Sequence, residues 1–221
     1  ISLDHPEIFL VQIRALLRAS EGLNNLKIML PMISNLSELD AALALIHRAY
    51  RELTEEENYN LKLPPLGAMI EVPAAVYQVK EIGSRVDFMS VGTNDLTQYL
   101  LAVDRNNPRV AEIYDSLHPS VLRALKSIQE QAVSVDCQLS VCGEMAGDPV
   151  SAVVLMGLGY KNLSMSASSL LRVKSLMLKV SREMAEDWVD EALCLSDAAS
   201  VGRYMSEALA PYTLKQSKLA S

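Results

Sequence analysis

A chain of 221 residues, half of them hydrophobic, is long enough to bury one large core, and we expect a single domain over residues 1–221. Its formal net charge of −7 argues against nucleic acid as a partner, because phosphate backbones are bound by basic surfaces. The sequence has no apolar run of the roughly 20 residues that span a bilayer and no basic-then-apolar leader. These features predict a cytoplasmic protein that binds neither nucleic acid nor membrane.

The first half of the chain alternates between helix and strand. Residues 4–22 predict a helix, and the continuous apolar run 27–33 predicts a strand that is buried on both faces. Residues 36–56 carry leucine and isoleucine at helical spacing. A second buried strand is predicted at 66–72, and Pro73 then opens a helix that we expect to reach Ile82.

The alternation continues in the second half. We predict a strand at 88–91, followed by a helix to Val103, a turn-rich region, and a helix at 121–135. Further strands are predicted at 139–142 and 163–167, and the pattern over 168–221 is helical only. Alternating strands and helices indicate an α/β protein with a parallel sheet. About five βα units is fewer than the eight of a (β/α)8 barrel, so the chain is either an open doubly wound sheet or the later part of a barrel.

Polar residues follow three of the predicted strands at the point where each strand ends. They are Glu71, the pair Asn94 and Asp95, and Cys142. Ligands of parallel α/β proteins bind beyond the carboxyl ends of the strands. Glu71 and Asp95 could supply oxygen ligands for Mg²⁺, which usually takes one or two protein carboxylates. The alternative is that Glu71 pairs with an arginine and Asp95 caps a helix.

Two further residues could take part in chemistry at this edge. Arg105 follows Asp95 by one helical segment, and its guanidinium could return to the edge and bind a phosphate through two hydrogen bonds. Cys142 would reach the same edge, and a cysteine thiol is mostly protonated at neutral pH, so it could serve as an acid. The alternatives are a solvated arginine and a buried packing cysteine. The sequence contains neither a GxxxxGK loop nor a GxGxxG fingerprint, so nucleotide binding of those types is not supported.

Several separated motifs occur in an order that is typical of one family. The stretch DFMSVGTNDLTQYLLAVDR, at 87–105, lies between GAMIEVPAA and SVCGEMAGD, and PMIS and LSMSA flank the set. From about Met29 to Ala167 the chain resembles the phosphoenolpyruvate-binding barrel of enzyme I of the bacterial phosphotransferase system. Chain length and motif wording look most similar to the nitrogen-related branch of enzyme I.

The resemblance implies that phosphoenolpyruvate (PEP) binds with Mg²⁺ and that its phosphoryl group passes to a histidine on another domain, and then to a phosphocarrier protein. Glu71 and Asp95 match the metal ligands of the family. Asn94, Asp95 and Arg105 match its substrate contacts, and Cys142 matches the donor of a proton to the enolate carbon. A cytoplasmic homodimer is also implied.

The resemblance further implies that the chain is an N-terminally truncated part of a TIM (β/α)8 barrel. The accepting histidine and the arginines of the earlier strands are then missing, and the chain alone is expected to be inactive. Two other functions stay open. One is a Mg²⁺-dependent lyase acting on a pyruvate-type enolate, and the other is a non-catalytic dimerisation or regulatory module, which the long helical tail suggests.

Overall fold

A parallel four-stranded sheet forms the centre of the molecule. The computed structural model describes residues 3–110 and 113–213. The strands are adjacent in chain order and pair in parallel, which confirms the α/β prediction. They are β1 (Ile28–Leu30), β2 (Leu66–Ile70), β3 (Phe88–Gly92) and β4 (Gln138–Cys142).

The two inner strands, β2 and β3, are mostly buried, whereas the outer strands, β1 and β4, are only partly covered. Ala68 and Ile70 of β2, Met89 of β3 and Val141 of β4 are fully buried. A parallel sheet has helices on both faces, so its strands are continuous apolar runs rather than alternating ones. The four runs in the sequence were therefore sufficient to locate the strands.

The fifth predicted strand, 163–167, is wrong in extent. Only Leu163 forms a bridge, to Val141 of β4. The Val141 N–H donates to Asn162 O at 2.9 Å, and the Val141 carbonyl accepts from Ser164 N at 2.8 Å. A helix begins at Ala167, so the chain leaves the sheet after a single residue of pairing.

Helices connect the strands and pack against the sheet. The predicted helix at 73–82 is two short helices, separated at Tyr77 and Gln78. The long predicted helix at 36–56 ends in a π-helical turn, Glu52–Glu56. The helices before the tail are α1 (Pro6–Ala19), α2 (Leu36–Arg51), α3 (Pro73–Val76), α4 (Val79–Gly83), α5 (Thr93–Leu101), α6 (Pro119–Ser134), α7 (Glu144–Gly147) and α8 (Pro149–Gly157).

The C-terminal tail packs into the same hydrophobic cluster as the sheet. It comprises α9 (Ala167–Met177), α10 (Arg182–Leu193) and α11 (Ala198–Thr213). Val189 of α10 and Met205 of α11 are buried within that cluster. Gly157 at the end of α8 allows the close approach of α10, because a Cβ there would lie 2.2 Å from Ala185 O.

The two outer strands of the sheet, β1 and β4, each have one side on which no complete strand pairs in the described part of the chain. In the described part of the chain, β1 pairs with β2 alone, and the far side of β4 meets only the Leu163 bridge. Four parallel strands with helical crossovers are consistent with part of a TIM barrel. Within residues 3–110 and 113–213, no helix is long and apolar enough to cross a membrane.

Candidate active site

The three polar strand ends meet at one edge of the sheet. Glu71 follows β2, Asn94 and Asp95 lie in the first turn of α5 just after β3, and Cys142 ends β4. The register pairs Gly92 of β3 with Cys142. The structure therefore brings together the residues that sequence analysis selected from three separate strands.

Glu71 is a buried carboxylate with one oxygen already occupied. Glu71 is 3% exposed, and its Oε1 accepts a hydrogen bond from the Met32 N–H at 2.8 Å. Burial raises the pKa of Glu71; the Met32 hydrogen bond opposes this shift, and the neighbouring Asp95 carboxylate adds to it. The buried Glu71 carboxylate beside the partly exposed Asp95 carboxylate forms a site that favours a cation.

Gly92 provides the space for the second oxygen of Glu71. A Cβ at position 92 would lie 2.4 Å from Glu71 Oε2 and 2.9 Å from Glu71 Cβ. Any larger residue would displace the carboxylate from the strand end. The glycine in the motif is therefore required by contact with Glu71 and not by a left-handed backbone.

Hydrogen bonds join the end of β3 to the end of β4. The Asn94 Oδ1 accepts from the Glu144 N–H at 2.9 Å, and the Thr93 hydroxyl donates to the Cys142 carbonyl at 2.9 Å. Gly143 lies between them with a φ of 97°, a left-handed value that favours glycine. Because Asn94 Oδ1 is occupied, its side-chain NH₂ group is the part that can donate to an anion.

The thiol of Cys142 is half-buried at the same edge. Its Sγ lies 3.4 Å from the Val91 carbonyl, to which it can donate a weak hydrogen bond. A protonated thiol at a strand end can supply a proton to a ligand above the edge.

Arg105 returns to the site from the connection after α5. Helix α5 ends at Leu101, and the residue that caps it, Ala102, has a left-handed φ of 53° that turns the chain out of the helix. The Arg105 N–H donates to Gln98 Oε1 at 3.2 Å, and Arg105 Nη2 lies 3.9 Å from Asp95 Oδ1. The guanidinium is about one third exposed, so it can still bind a ligand from solvent.

A cleft of about 370 Å³ opens beside these strand ends. Its lining includes Asn94, Gly143, Glu144, Ser166, Ser169 and Arg172, but not Glu71, Asp95, Arg105 or Cys142. This volume is in the range of small-molecule sites.

Sequence analysis missed three residues that shape the site. Met32 donates its N–H to Glu71 from a left-handed φ of 58°, Gly143 makes the turn after β4, and the Tyr114 hydroxyl donates to Asn94 O at 3.3 Å. Gly143 stands in the CGE motif, which carried a signal, whereas Met32 lies inside the predicted strand 27–33 and falls outside the strand only because β1 ends at Leu30. No local pattern marked Tyr114.

The donor set at this edge fits Mg²⁺ better than a structural zinc ion. Glu71 and Asp95 offer carboxylate oxygens. In the described residues no three His, Cys, Asp or Glu side chains converge as a metal cluster. Mg²⁺ is held by one or two carboxylates together with waters and substrate oxygens, whereas structural zinc takes four His or Cys ligands.

Comparisons with known proteins give matches over most of the chain. The family described as "PEP-utilising enzyme, PEP-binding domain" matches residues 1–182. A protein of Escherichia coli K12 named "Phosphoenolpyruvate-dependent phosphotransferase system" is 52% identical over 87% of this chain and 26% of its own length. The "Phosphoenolpyruvate-protein phosphotransferase" of Cupriavidus necator is 44% identical over 87% of this chain and 33% of its own length. The chain thus spans about a quarter to a third of these relatives.

A solved structure resembles the fold at low sequence identity. A citrate lyase from Burkholderia xenovorans LB400 superposes with a TM-score of 0.56 and 17% identity, over 91% of this chain and 68% of its own. At that identity the likeness concerns the fold alone.

Proposed function

The chain belongs to the family of PEP-utilising enzymes and carries their PEP-binding domain, and from this premise we propose that it serves a phosphoenolpyruvate-protein phosphotransferase. In that reaction the phosphoryl group of PEP passes to a histidine of the enzyme and then to a phosphocarrier protein. Because the relatives are longer, we place the accepting histidine in a part of the enzyme outside these 221 residues. The observation that carries the proposal is the buried Glu71 beside Asp95 at the edge that also holds Cys142.

Glu71 and Asp95 are the residues that would hold Mg²⁺. Glu71 would use Oε2, because Oε1 already accepts the Met32 N–H. When bound, the ion supplies positive charge that offsets the negative oxygens of the phosphoryl group and of the departing enolate.

The remaining residues bind the substrate and move a proton. The guanidinium of Arg105 and the NH₂ group of Asn94 would hold the anionic oxygens of PEP through charge-assisted hydrogen bonds. When the bond between phosphorus and the enol oxygen breaks, its electron pair stays on that oxygen and gives the enolate of pyruvate. The thiol of Cys142 then donates its proton to the methylene carbon of the enolate, and water restores the thiol.

The chain by itself is expected to bind PEP weakly and to transfer no phosphoryl group. The family resemblance implies further arginines on earlier strands, and the edge of β1 is where an earlier strand would pair. In this proposal the chain is the C-terminal part of a longer barrel enzyme.

We also assign the chain to the nitrogen-related branch of enzyme I. This assignment rests on the length and wording of the motifs, because the names of the relatives do not specify a branch. Side-by-side phosphoryl transfer to the carrier proteins of both branches tests this assignment. Preference for the carrier of the other branch would refute it.

We expect the full-length protein to be a homodimer. Large apolar side chains such as Tyr77, Leu171 and Leu178 are more than 75% exposed in the chain, as expected for surfaces covered by other protein. Light scattering after gel filtration measures the mass directly. A monomer at micromolar concentration would contradict this expectation.

The proposed function is tested by calorimetry and by turnover. Full-length protein should bind PEP in the presence of Mg²⁺, and D95N should lose this binding. C142A should bind PEP normally but turn it over more slowly, because only the proton donor is lost. Unchanged turnover by C142A would favour the lyase alternative. Full-strength PEP binding by the 221-residue chain alone would refute the expectation that its substrate site is incomplete.

A further inference from the structure

The connection between α5 and α6 carries Arg105 and is attached to α5 at two places. At its start, the Arg105 N–H donates to Gln98 Oε1 at 3.2 Å. Later in the connection, the Tyr114 hydroxyl donates to Asn94 O at 3.3 Å. The second attachment lies in the first turn of α5, next to Asp95.

Tyr114 is surrounded by polar groups of the candidate active site. The residue is half-buried, and burial raises the pKa of its hydroxyl. The nearby Glu144 carboxylate adds to this shift, and the Arg105 guanidinium opposes it, so both charged groups lie close to the ring oxygen. Tyr114 thus binds the first turn of α5, through Asn94 O, and its hydroxyl lies near both Arg105 and Glu144.

We infer that Tyr114 is a positioning residue, whose hydroxyl fixes the connection to the start of α5 and thereby aims Arg105 at the strand-end site. Without the hydroxyl, the connection loses the bond to Asn94 O and keeps two bonds to Gln98, from the Arg105 N–H to Oε1 and from the Val103 N–H to the carbonyl. Arg105 Nη2, now 3.9 Å from Asp95 Oδ1, would then sample orientations that do not bind a substrate anion. This inference rests on the proposed function for the identity of that anion.

A tyrosine is required for this role, and a phenylalanine is not sufficient. The ring of Phe would fill the same space, but it has no group that donates to Asn94 O or faces Arg105. The variant Y114F therefore isolates the hydroxyl from the packing of the ring. Y99F is the matched control, because Tyr99 lies on α5, is 43% exposed and undergoes the same chemical change.

Two measurements on the full-length protein test the inference. In calorimetry with PEP and Mg²⁺, the Kd for PEP should rise about threefold to tenfold in Y114F, as expected for the loss of one hydrogen bond. The Kd for Mg²⁺ alone should not change, because neither carboxylate is touched. In modification by phenylglyoxal followed by peptide mass spectrometry, Arg105 should react about threefold faster in Y114F, relative to the exposed Arg51 on α2, which lies outside the connection. Y99F should match the unchanged protein in each assay.

The outcomes separate this inference from the proposed function. If the unchanged protein binds PEP and Y114F binds it equally well, with equal Arg105 reactivity, the inference is overturned. If the unchanged protein does not bind PEP, the proposed function fails, and the reactivity of Arg105 alone decides whether Tyr114 positions it. A rise in the Kd for Mg²⁺ in Y114F would indicate general damage to the fold and would also overturn the inference.

Discussion

Replacing Glu71 by glutamine should stabilise the chain without Mg²⁺ and abolish the stabilisation that Mg²⁺ provides. The carboxylate is 3% exposed and lies beside Asp95, which carries the same charge. Glutamine keeps an oxygen that accepts the Met32 N–H and adds an NH₂ group that can donate to the Asp95 carboxylate. E71Q thereby replaces a pair of like charges with a hydrogen bond.

The magnitude follows from the burial of this pair. A hydrogen bond to a charged group contributes about 1.5–3 kcal/mol, and we take about 1–2 kcal/mol here because Asp95 is 35% exposed. Each kcal/mol shifts the melting temperature of a chain of this length by about 2–4 °C, so E71Q should melt about 2–8 °C higher in EDTA at neutral pH. Saturation with Mg²⁺ at about 100 times its Kd should stabilise the unchanged chain by about 2.7 kcal/mol and should not stabilise E71Q.

The advantage of E71Q should depend on pH. The folded-state pKa of Glu71 is raised by burial above its unfolded value. The stability linked to this group is therefore fully present below the unfolded pKa and is lost as the pH rises through the folded pKa. In EDTA, the difference in unfolding free energy between E71Q and the unchanged chain should be small in acid and should grow across that window.

Thermal unfolding followed by circular dichroism, in EDTA and in Mg²⁺, measures both effects. E130Q is the matched control, because Glu130 is exposed on α6 and the substitution is the same. Its stability should stay within about 0.5 kcal/mol of the unchanged chain. The reasoning is refuted if E71Q melts below the unchanged chain in EDTA, or if Mg²⁺ stabilises both equally.

Three other substitutions test separate features by urea unfolding. G92A should destabilise the chain by about 1–3 kcal/mol and weaken Mg²⁺ binding, because its Cβ would lie 2.4 Å from Glu71 Oε2. Its control is G202A in α11, where a Cβ would lie 3.9 Å from the nearest atom and alanine should raise the free energy of unfolding by about 0.5–1 kcal/mol. Equal effects of the two substitutions would contradict the steric argument. T97V should raise the free energy of unfolding by about 1 kcal/mol, since Thr97 Oγ1 is buried with no hydrogen bond of normal geometry in the described part of the chain. The Tyr114 hydroxyl lies nearby, so a loss of stability would identify it as a partner. E52Q should lower the free energy of unfolding at neutral pH, because hydrogen bonds from two arginines depress the pKa of Glu52. The deficit should vanish as the pH falls, and a deficit that persists in acid would rule out this cause.

The strands and the residues at their ends could be predicted from the sequence. A strand buried on both faces is a short apolar run, and β2 and, apart from Ser90, β3 are such runs. β4 is only partly buried and contains polar residues as well. The carboxyl ends of parallel strands meet at one edge, so the positions of Glu71, Asp95 and Cys142 after those runs were enough to bring them together. The fifth strand was wrong in extent because the alternating sequence LSMSA does not reveal that α9 begins at Ala167.

The contacts that orient these residues were decided by the tertiary structure. Met32 binds Glu71 across 39 residues of chain, the Glu144 N–H binds Asn94 across 50, and Tyr114 binds Asn94 across 20. Periodicity and motif spacing describe neighbours in sequence, and they carry no information about which distant groups will meet. The sequence by itself determined which residues end the strands and that they share an edge. Only the fold decided that one oxygen of Glu71 is occupied and that Arg105 faces Asp95, because such pairings depend on how the connections pack above the sheet.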